Sequence, residues 1–170
     1  MHIRRATNAD CAAICALYNY EVENSTVTLD LVPRTVSEQR YYLAARSGSL
    51  AVLVADSAEP ASGARGDVMG FASLSAYRDR PGYRTSVEDS IYVAPEHQGK
   101  GVGRLLLSSL VTTATANGFH SIFARVADSQ PASVALHESL GFTLVGIERE
   151  VGRKFGQWID IALMQLLLKA

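Results

Sequence analysis

The chain has almost no excess of charge of either sign: 16 lysines and arginines stand against 17 acidic residues, for a formal net charge of −1. A surface so balanced has no field with which to gather nucleic acid or an anionic membrane, and neither is expected as a partner. Long apolar runs are also missing. The N-terminal stretch MHIRRATNAD holds no apolar signal core, and the longest hydrophobic tail, ALMQLLL, is broken by Gln165. No membrane span is expected, and the chain reads as cytoplasmic. Cysteine is scarce. Cys11 and Cys15 are four apart in a helical pattern, which puts them on one face of one helix; no further ligands stand at metal-binding spacing, so they read as reduced core thiols. Repeats, low-complexity segments and internal linkers are absent too. What remains, 170 residues of which 48% are hydrophobic and 19% charged, suits one real core and is too short for two. The expected domain is therefore 1–170.

Local patterns divide that chain into strands and helices. His2 to Ala6 reads as a short strand, followed by a helix that starts at Thr7 with Asp10 three residues on and fades near Val22. Thr35-Val36-Ser37-Glu38 repeats the capping pattern and opens a second helix to about Arg46, closed at Ser47-Gly48. Ala51–Asp56 and Val68–Tyr77 read as strands joined by an exposed hairpin loop, SAEPASGARGD. A basic loop, Arg78 to Arg84, leads into a strand over Ser86 to Ala94. Leu105, Leu106, Leu110, Val111 and Ala114 then stripe a helix that stops at Asn117-Gly118. Ser121–Ala127 reads as a strand, Ala132–Leu140 as a short helix closed by Gly141, and Phe142–Val151 and Trp158–Leu168 as two last strands. The expectation is an α/β domain on a mixed sheet, antiparallel at its start and split or parallel around the glycine-rich loop.

That loop, Gln98-Gly99-Lys100-Gly101-Val102-Gly103, lies between a strand and a helix, where bare backbone amides and the helix dipole favour an anion. A Walker loop would need Ser or Thr after the lysine, but Lys100 precedes Gly101. A dinucleotide fingerprint would need Gly-x-Gly-x-x-Gly in the first βα unit, and here the spacing is Gly99-x-Gly101-x-Gly103.

The stretch resembles the pyrophosphate loop of the GCN5-related N-acetyltransferases (GNAT), whose motif is Gln/Arg-x-x-Gly-x-Gly/Ala. A second signature of that family is matched by Ser133-Val134-Ala135-Leu136-His137-Glu138-Ser139-Leu140-Gly141-Phe142. The likeness runs over essentially the whole chain, from Ile3-Arg4-Arg5-Ala6-Thr7 and Asp10 onward. Thr85-Ser86-Val87-Glu88-Asp89-Ser90-Ile91-Tyr92-Val93 is similar to the phosphinothricin acetyltransferase branch, and Val151-Gly152-Arg153-Lys154-Phe155-Gly156-Gln157-Trp158-Ile159-Asp160 to its members that acetylate methionine sulfone and sulfoximine. The resemblance implies the GNAT fold, with about seven strands flanked by about four helices.

It also implies acetyl-CoA as co-substrate, with no metal. The pyrophosphate would sit on the backbone of Gly99, Lys100, Gly101, Val102, Gly103 and Arg104, and the pantetheine arm would pair with the backbone of Ile91, Tyr92 and Val93. Gln130 stands where the family usually has a CoA-contacting Asn, and offers the same amide on a longer stem. Glu88 is the expected base for the acceptor amine, and would need burial or a relayed water to serve. His137 stands where many relatives carry a tyrosine beside the CoA sulfur; a histidine there suits protonating the thiolate or helping deprotonate the amine. His2, His97 and His120 read as structural. Arg78, Arg80 and Arg84, with Tyr83 between them, match the oxyanions of an amino-acid substrate, Arg78 above the others. Phe155 and Trp158 would wall the pocket, a dimer interface or the core. The function implied is direct transfer of an acetyl group to the α-amine of a small amino acid or analogue, by a homodimer as the resemblance suggests. The alternatives are a protein N-terminal or polyamine acetyltransferase, against whose polyamine form the arginine loop argues, and a non-catalytic CoA-binding module.

Overall fold

The computed structural model describes residues 1–46, 48–58 and 66–168. The elements are β1 (His2–Arg5), α1 (Cys11–Asn24), α2 (Val36–Ala45), β2 (Val52–Asp56), β3 (Val68–Ala76), β4 (Ser86–Val93), α3 (Val102–Ala116), β5 (Ser121–Ala127), α4 (Pro131–Glu138), β6 (Thr143–Lys154) and β7 (Gln157–Leu167). Most of the hairpin loop expected between β2 and β3, and Ser47 at the close of α2, lie outside the described residues. No described helix is long and apolar enough to cross a membrane.

The strands form one seven-stranded sheet in the order β1-β2-β3-β4-β5-β7-β6. Every neighbouring pair is antiparallel except β4 and β5. Strand alternation gives the sheet two covered faces. On one, Phe71 of β3 packs with Val52, Val54 and the α1 residues Ile14, Tyr18 and Val22. On the other, Ala72, Leu74, Val87, Ile122 and Ala124 pack beneath α3 through Leu106, Leu107, Leu110 and Ala114. The α3 stripe is thus turned slightly from the one expected: Leu107 is fully buried and Leu105 is partly exposed.

Capping chemistry places the helices. The Thr35 amide donates to the Glu38 carboxylate at 2.7 Å and the Thr35 hydroxyl accepts from the Glu38 amide at 3.2 Å, a reciprocal box. At the first helix the Thr7 amide donates to Asp10 at 2.7 Å, and a short 3₁₀ turn, Asn8–Asp10, comes before α1. Asp10 is also gripped by Arg4 at 2.8 and 2.9 Å, while Arg4 Nε donates to Asp56 at 2.7 Å. Burial opposes ionisation of Asp10, but the Arg4 guanidinium and the Thr7 amide outweigh it and hold the carboxyl well below its usual range. One arginine therefore ties β1, β2 and the start of α1. Cys11 and Cys15 are buried free thiols, as expected, and Cys15 Sγ donates to the Arg34 carbonyl at 3.0 Å.

The last hairpin is longer than the sequence pattern suggests. β6 runs on to Lys154, with register shifts between Leu144 and Gly146 and between Glu148 and Gly152. Its two-residue turn, Phe155 (φ 49°) and Gly156 (φ 78°), has both residues in the left-handed region, the geometry whose twist matches an antiparallel ribbon.

Candidate active site

The parallel pairing of β4 with β5 covers only Ser86, Val87 and Glu88 against Ser121, Ile122 and Phe123. Beyond Glu88 the two strands part, whereas β4 stays paired to β3 as far as Val93. The β5-facing edge of Asp89–Val93 is therefore open to a pseudo-strand. A cavity of about 300 Å³ fills the gap. Its walls are β4 from Glu88 to Val93, β5 from Ala124 to Ala127, Gln130, Ser133 and His137 of the α4 region, and Val27–Leu29 from the loop after α1. The sheet is thus both parallel and split at this point, and the cavity lies in the split.

Glu88 stands where the split begins, half-buried. Burial pushes its carboxyl above the usual glutamate value, and the charge of Asp89 adds to this, while Arg125 and Arg78 pull the other way. A carboxylate so placed can accept a proton nearer neutral pH than an exposed one. Its register partner on β3 is Ser75 and on β5 is Phe123, so Glu88 looks out on the α1/α2 side of the sheet. Arg125, two residues along β5, shares that face and lines the cavity. Its guanidinium pairs through both nitrogens with the Glu148 carboxylate of β6. Arg125 is not among the residues expected at the site; its one local signal is that it is the single charge in the strand SIFARVA.

Asp89, the next residue, points to the opposite face, where it meets His137. Both side chains are buried. His137 Nε2 lies 3.1 Å from Asp89 Oδ2, and Nδ1 lies 2.7 Å from the Ser133 carbonyl. The ring stands edge-to-face on Phe142 at 5.0 Å. Burial alone would lower the histidine's pKa, but the hydrogen bond and charge of Asp89 outweigh it, and the net shift is upward. Asp89 is a second residue that sequence reasoning left unassigned.

The cavity wall formed by the loop after α1 is fastened by contacts distant in sequence. Lys154 Nζ donates to the Thr28 carbonyl at 2.8 Å and to the Glu21 carbonyl at 3.3 Å. Burial pulls its ammonium pKa down, against the charges of Asp30 and Glu21. The Tyr18 hydroxyl donates to Asp30 at 2.5 Å and sits 2.9 Å from the Thr28 hydroxyl. Leu29 lies where a side chain on Gly152 would fall, with its Cδ1 only 2.6 Å from an added Cβ. The β6–β7 hairpin therefore clamps the loop that walls the cavity.

At the other end of β4 the chain turns through the 3₁₀ segment Pro95–His97 into the glycine loop. Gly99 (φ 70°) and Gly101 (φ 83°) are left-handed. The α3 ladder begins with the Leu105 amide on the Gly101 carbonyl at 3.1 Å, so the amides of Val102, Gly103 and Arg104 have no intrahelical acceptor. Gly103 is packed close: an added Cβ would meet Leu136 Cδ2 at 3.2 Å. Arg104 donates to the Ser139 hydroxyl at 2.8 Å and Lys100 is exposed. Ile91, Tyr92 and Val93 line the cavity, and the Tyr92 ring stacks on Phe71 at 5.1 Å on the far face. Gln130 lines the cavity as the residue before α4, after two left-handed residues, Asp128 and Ser129.

The arginine loop is not drawn into the cavity wall. Arg78 covers the Tyr77 ring at 4.8 Å, within electrostatic reach of Glu88. Tyr83 packs edge-on to Tyr77 at 5.6 Å, and Arg80 and Arg84 are exposed around the short turn Pro81–Tyr83. His137, Glu88 and Gln130 come together around the cavity, with the glycine loop at the end of β4. Arg80, Tyr83 and Arg84 stand outside it. Phe155 and Trp158 are exposed, neither pocket wall nor core.

Residues 3–163 match the model of the acetyltransferase (GNAT) domain. The chain belongs to the GNAT acetyltransferases. It is 41% identical over 169 residues to an L-methionine sulfoximine/L-methionine sulfone acetyltransferase of Salmonella typhimurium, covering 99% of this chain and 95% of that one. It is 38% identical to a phosphinothricin N-acetyltransferase of Streptomyces coelicolor, covering 95% and 93%. Among solved structures, an acetyltransferase from Salmonella typhimurium with its cofactor acetyl-CoA superimposes with a TM-score of 0.91 at 40% identity, covering 100% of this chain and 95% of that one. The likeness thus extends over nearly the whole of this chain and of each of these three proteins.

Proposed function

We propose that the protein transfers the acetyl group of acetyl-CoA to the α-amine of a small amino acid or analogue, with methionine sulfoximine, methionine sulfone and phosphinothricin as the leading acceptors. The observation that carries this reading is Glu88: a half-buried carboxylate with a raised pKa, standing where an open strand edge runs on to a glycine-rich anion cradle. Acetyl-CoA, when bound, supplies an activated acyl carbon. The free edge of Ile91–Val93 suits its amide-bearing arm, and the amides from Gly99 to Arg104 suit its pyrophosphate. Glu88 accepts the amine's proton, directly or through one water, and leaves the nitrogen lone pair free for attack. Arg125, paired with Glu148 beside the cavity, and Arg78, within electrostatic reach of Glu88, put positive charge near that carboxylate, where the α-carboxylate of an amino acid can be held. No acyl-enzyme is needed: Cys11 and Cys15 are core residues of α1, and burial pushes both thiols up, away from the thiolate.

An acceptor panel tests the reading. With acetyl-CoA, free thiol release is expected with the three analogues and little with a peptide N-terminus or a polyamine. Preference for a peptide or polyamine overturns the acceptor class, and no release with any amine favours a CoA-binding module. The same reading makes the enzyme a cytoplasmic homodimer. Strand β6 is a sheet edge, and Leu144, Val145, Val151, Phe155 and Trp158 on its ribbon are each more than half exposed, an apolar surface of the kind that subunits cover. Sedimentation at micromolar concentration is expected to give twice the 18.3 kDa chain mass; a single chain mass removes the dimer.

A further inference from the structure

His137 has no free lone pair with which to take a proton from the acceptor amine. A carbonyl oxygen only accepts hydrogen bonds, so the 2.7 Å contact with Ser133 requires a proton on Nδ1. A neutral ring with its proton there would aim the Nε2 lone pair at the Asp89 carboxylate, 3.1 Å away. Two lone pairs facing across a buried gap are repulsive, so a second proton must lie between them. The arrangement calls for an imidazolium held against a carboxylate. We propose that Asp89 is a positioning residue that keeps His137 doubly protonated on the donor face of β4, where His137 delivers the proton taken up by the departing CoA thiolate.

The proposal rests on the acetyl-transfer reading above and divides its two proton transfers between the faces of one strand. Consecutive residues of β4 point opposite ways. Glu88 takes a proton from the amine on the acceptor face. The nitrogen–carbon bond forms, the carbon–sulfur bond breaks, and its electron pair leaves on sulfur. On the other face the Nε2 proton passes to that sulfur; Glu88 then releases the amine's proton to solvent and His137 takes one back from solvent, so the protein gains and loses no net proton. The groups facing the ring are Asp89 from β4, the Ser133 carbonyl from its own helix, and Phe142 from the turn into β6. The charges of β5 and β6 nearest the cavity, Arg125 and Glu148, pair with each other on the opposite face, and Glu138, next on α4, is exposed.

Two measurements test it. In the wild-type protein, ¹⁵N imidazole signals of His137 at pH 7.5 are expected to show both nitrogens protonated; a neutral ring at that pH overturns the proposal whether or not any acceptor is turned over. In Asp89→Asn the ring should revert toward the ordinary histidine value, so kcat falls about tenfold or more at pH 8 and only two- to threefold at pH 6. Asp89→Glu, which keeps the carboxylate, should restore part of the loss at pH 8. An Asp89→Asn loss equal at all pH values, or no loss, assigns the pair to structure alone. If the wild type shows a doubly protonated His137 but acetylates no amine, the acetyl-transfer reading fails and the assignment of the pair's protons stands.

Discussion

Glu88→Gln is expected to lower kcat by about 100- to 1,000-fold, the usual worth of a positioned general base. The amide keeps the size of the side chain and its hydrogen-bonding reach but cannot accept the amine's proton. Binding of acetyl-CoA, measured by calorimetry, should be unchanged, because the open strand edge and the glycine loop lie beyond Glu88 along β4. The pH dependence carries more weight than the size of the loss. The base must be ionised, so kcat/KM of the wild type should rise with pH through a value above the ordinary glutamate range, set by burial. That acidic limb should disappear in the variant. A limb that survives Glu88→Gln removes Glu88 as the base.

The same substitution has a stability signature of opposite sign. A carboxyl whose folded pKa is raised contributes stability below its unfolded pKa, and loses that contribution as pH rises through the folded value. At neutral pH the ionised Glu88 is therefore a cost to the fold. Glu88→Gln should raise Tm at pH 7, with the difference shrinking toward pH 4, where both side chains are neutral. Loss of turnover together with a gain in Tm marks a residue kept for chemistry rather than packing.

The second large effect is expected at Gly101. It sits at φ 83° and ψ −1° as the residue before α3, and an added Cβ there meets nothing within 4 Å. The space is open, so the penalty for a side chain lies in the backbone alone: about 1–2 kcal/mol for an L-residue in the left-handed region, and more when it is β-branched. Gly101→Val should tip the loop out of the conformation that presents its amides and raise the Kd for acetyl-CoA about tenfold or more. At saturating donor, kcat should change little, because Glu88 and His137 are untouched. Asparagine tolerates left-handed backbone better than valine, so Gly101→Asn should lie between valine and the wild type. Equal donor affinity in all three proteins would mean that the loop does not cradle the donor.

Much of this was legible because the signals are local. The capping box at Thr35 and Glu38, the glycine-rich loop and the apolar stripe of α3 each depend on residues within one or two turns of chain; the box and the loop stand where the pattern places them, and the stripe differs only in burying Leu107 in place of Leu105. The end of β6 was less legible. Gly152 and Lys154 fall beyond the expected end of the strand at Val151, yet Gly152 makes room for Leu29 and Lys154 reaches carbonyls 126 and 133 residues earlier. Asp89 looked like a passenger beside Glu88 because its partner, His137, is 48 residues on. Arg80, Tyr83 and Arg84 show the converse: a cluster that is dense in sequence need not be gathered round the cavity when its loop turns outward.

Most of the elements, the glycine-rich loop with its spacing and the strand that carries Glu88 could be read from the chain alone. All of these follow from periodicity and backbone preference, which act between near neighbours. Where β4 leaves β5, which face each of Glu88 and Asp89 commands, and that Lys154 clamps the loop lining the cavity are set by tertiary packing. Strand divergence and buried pairing arise when distant segments compete for the same space and the same hydrogen bonds, and no local pattern records the outcome of that competition.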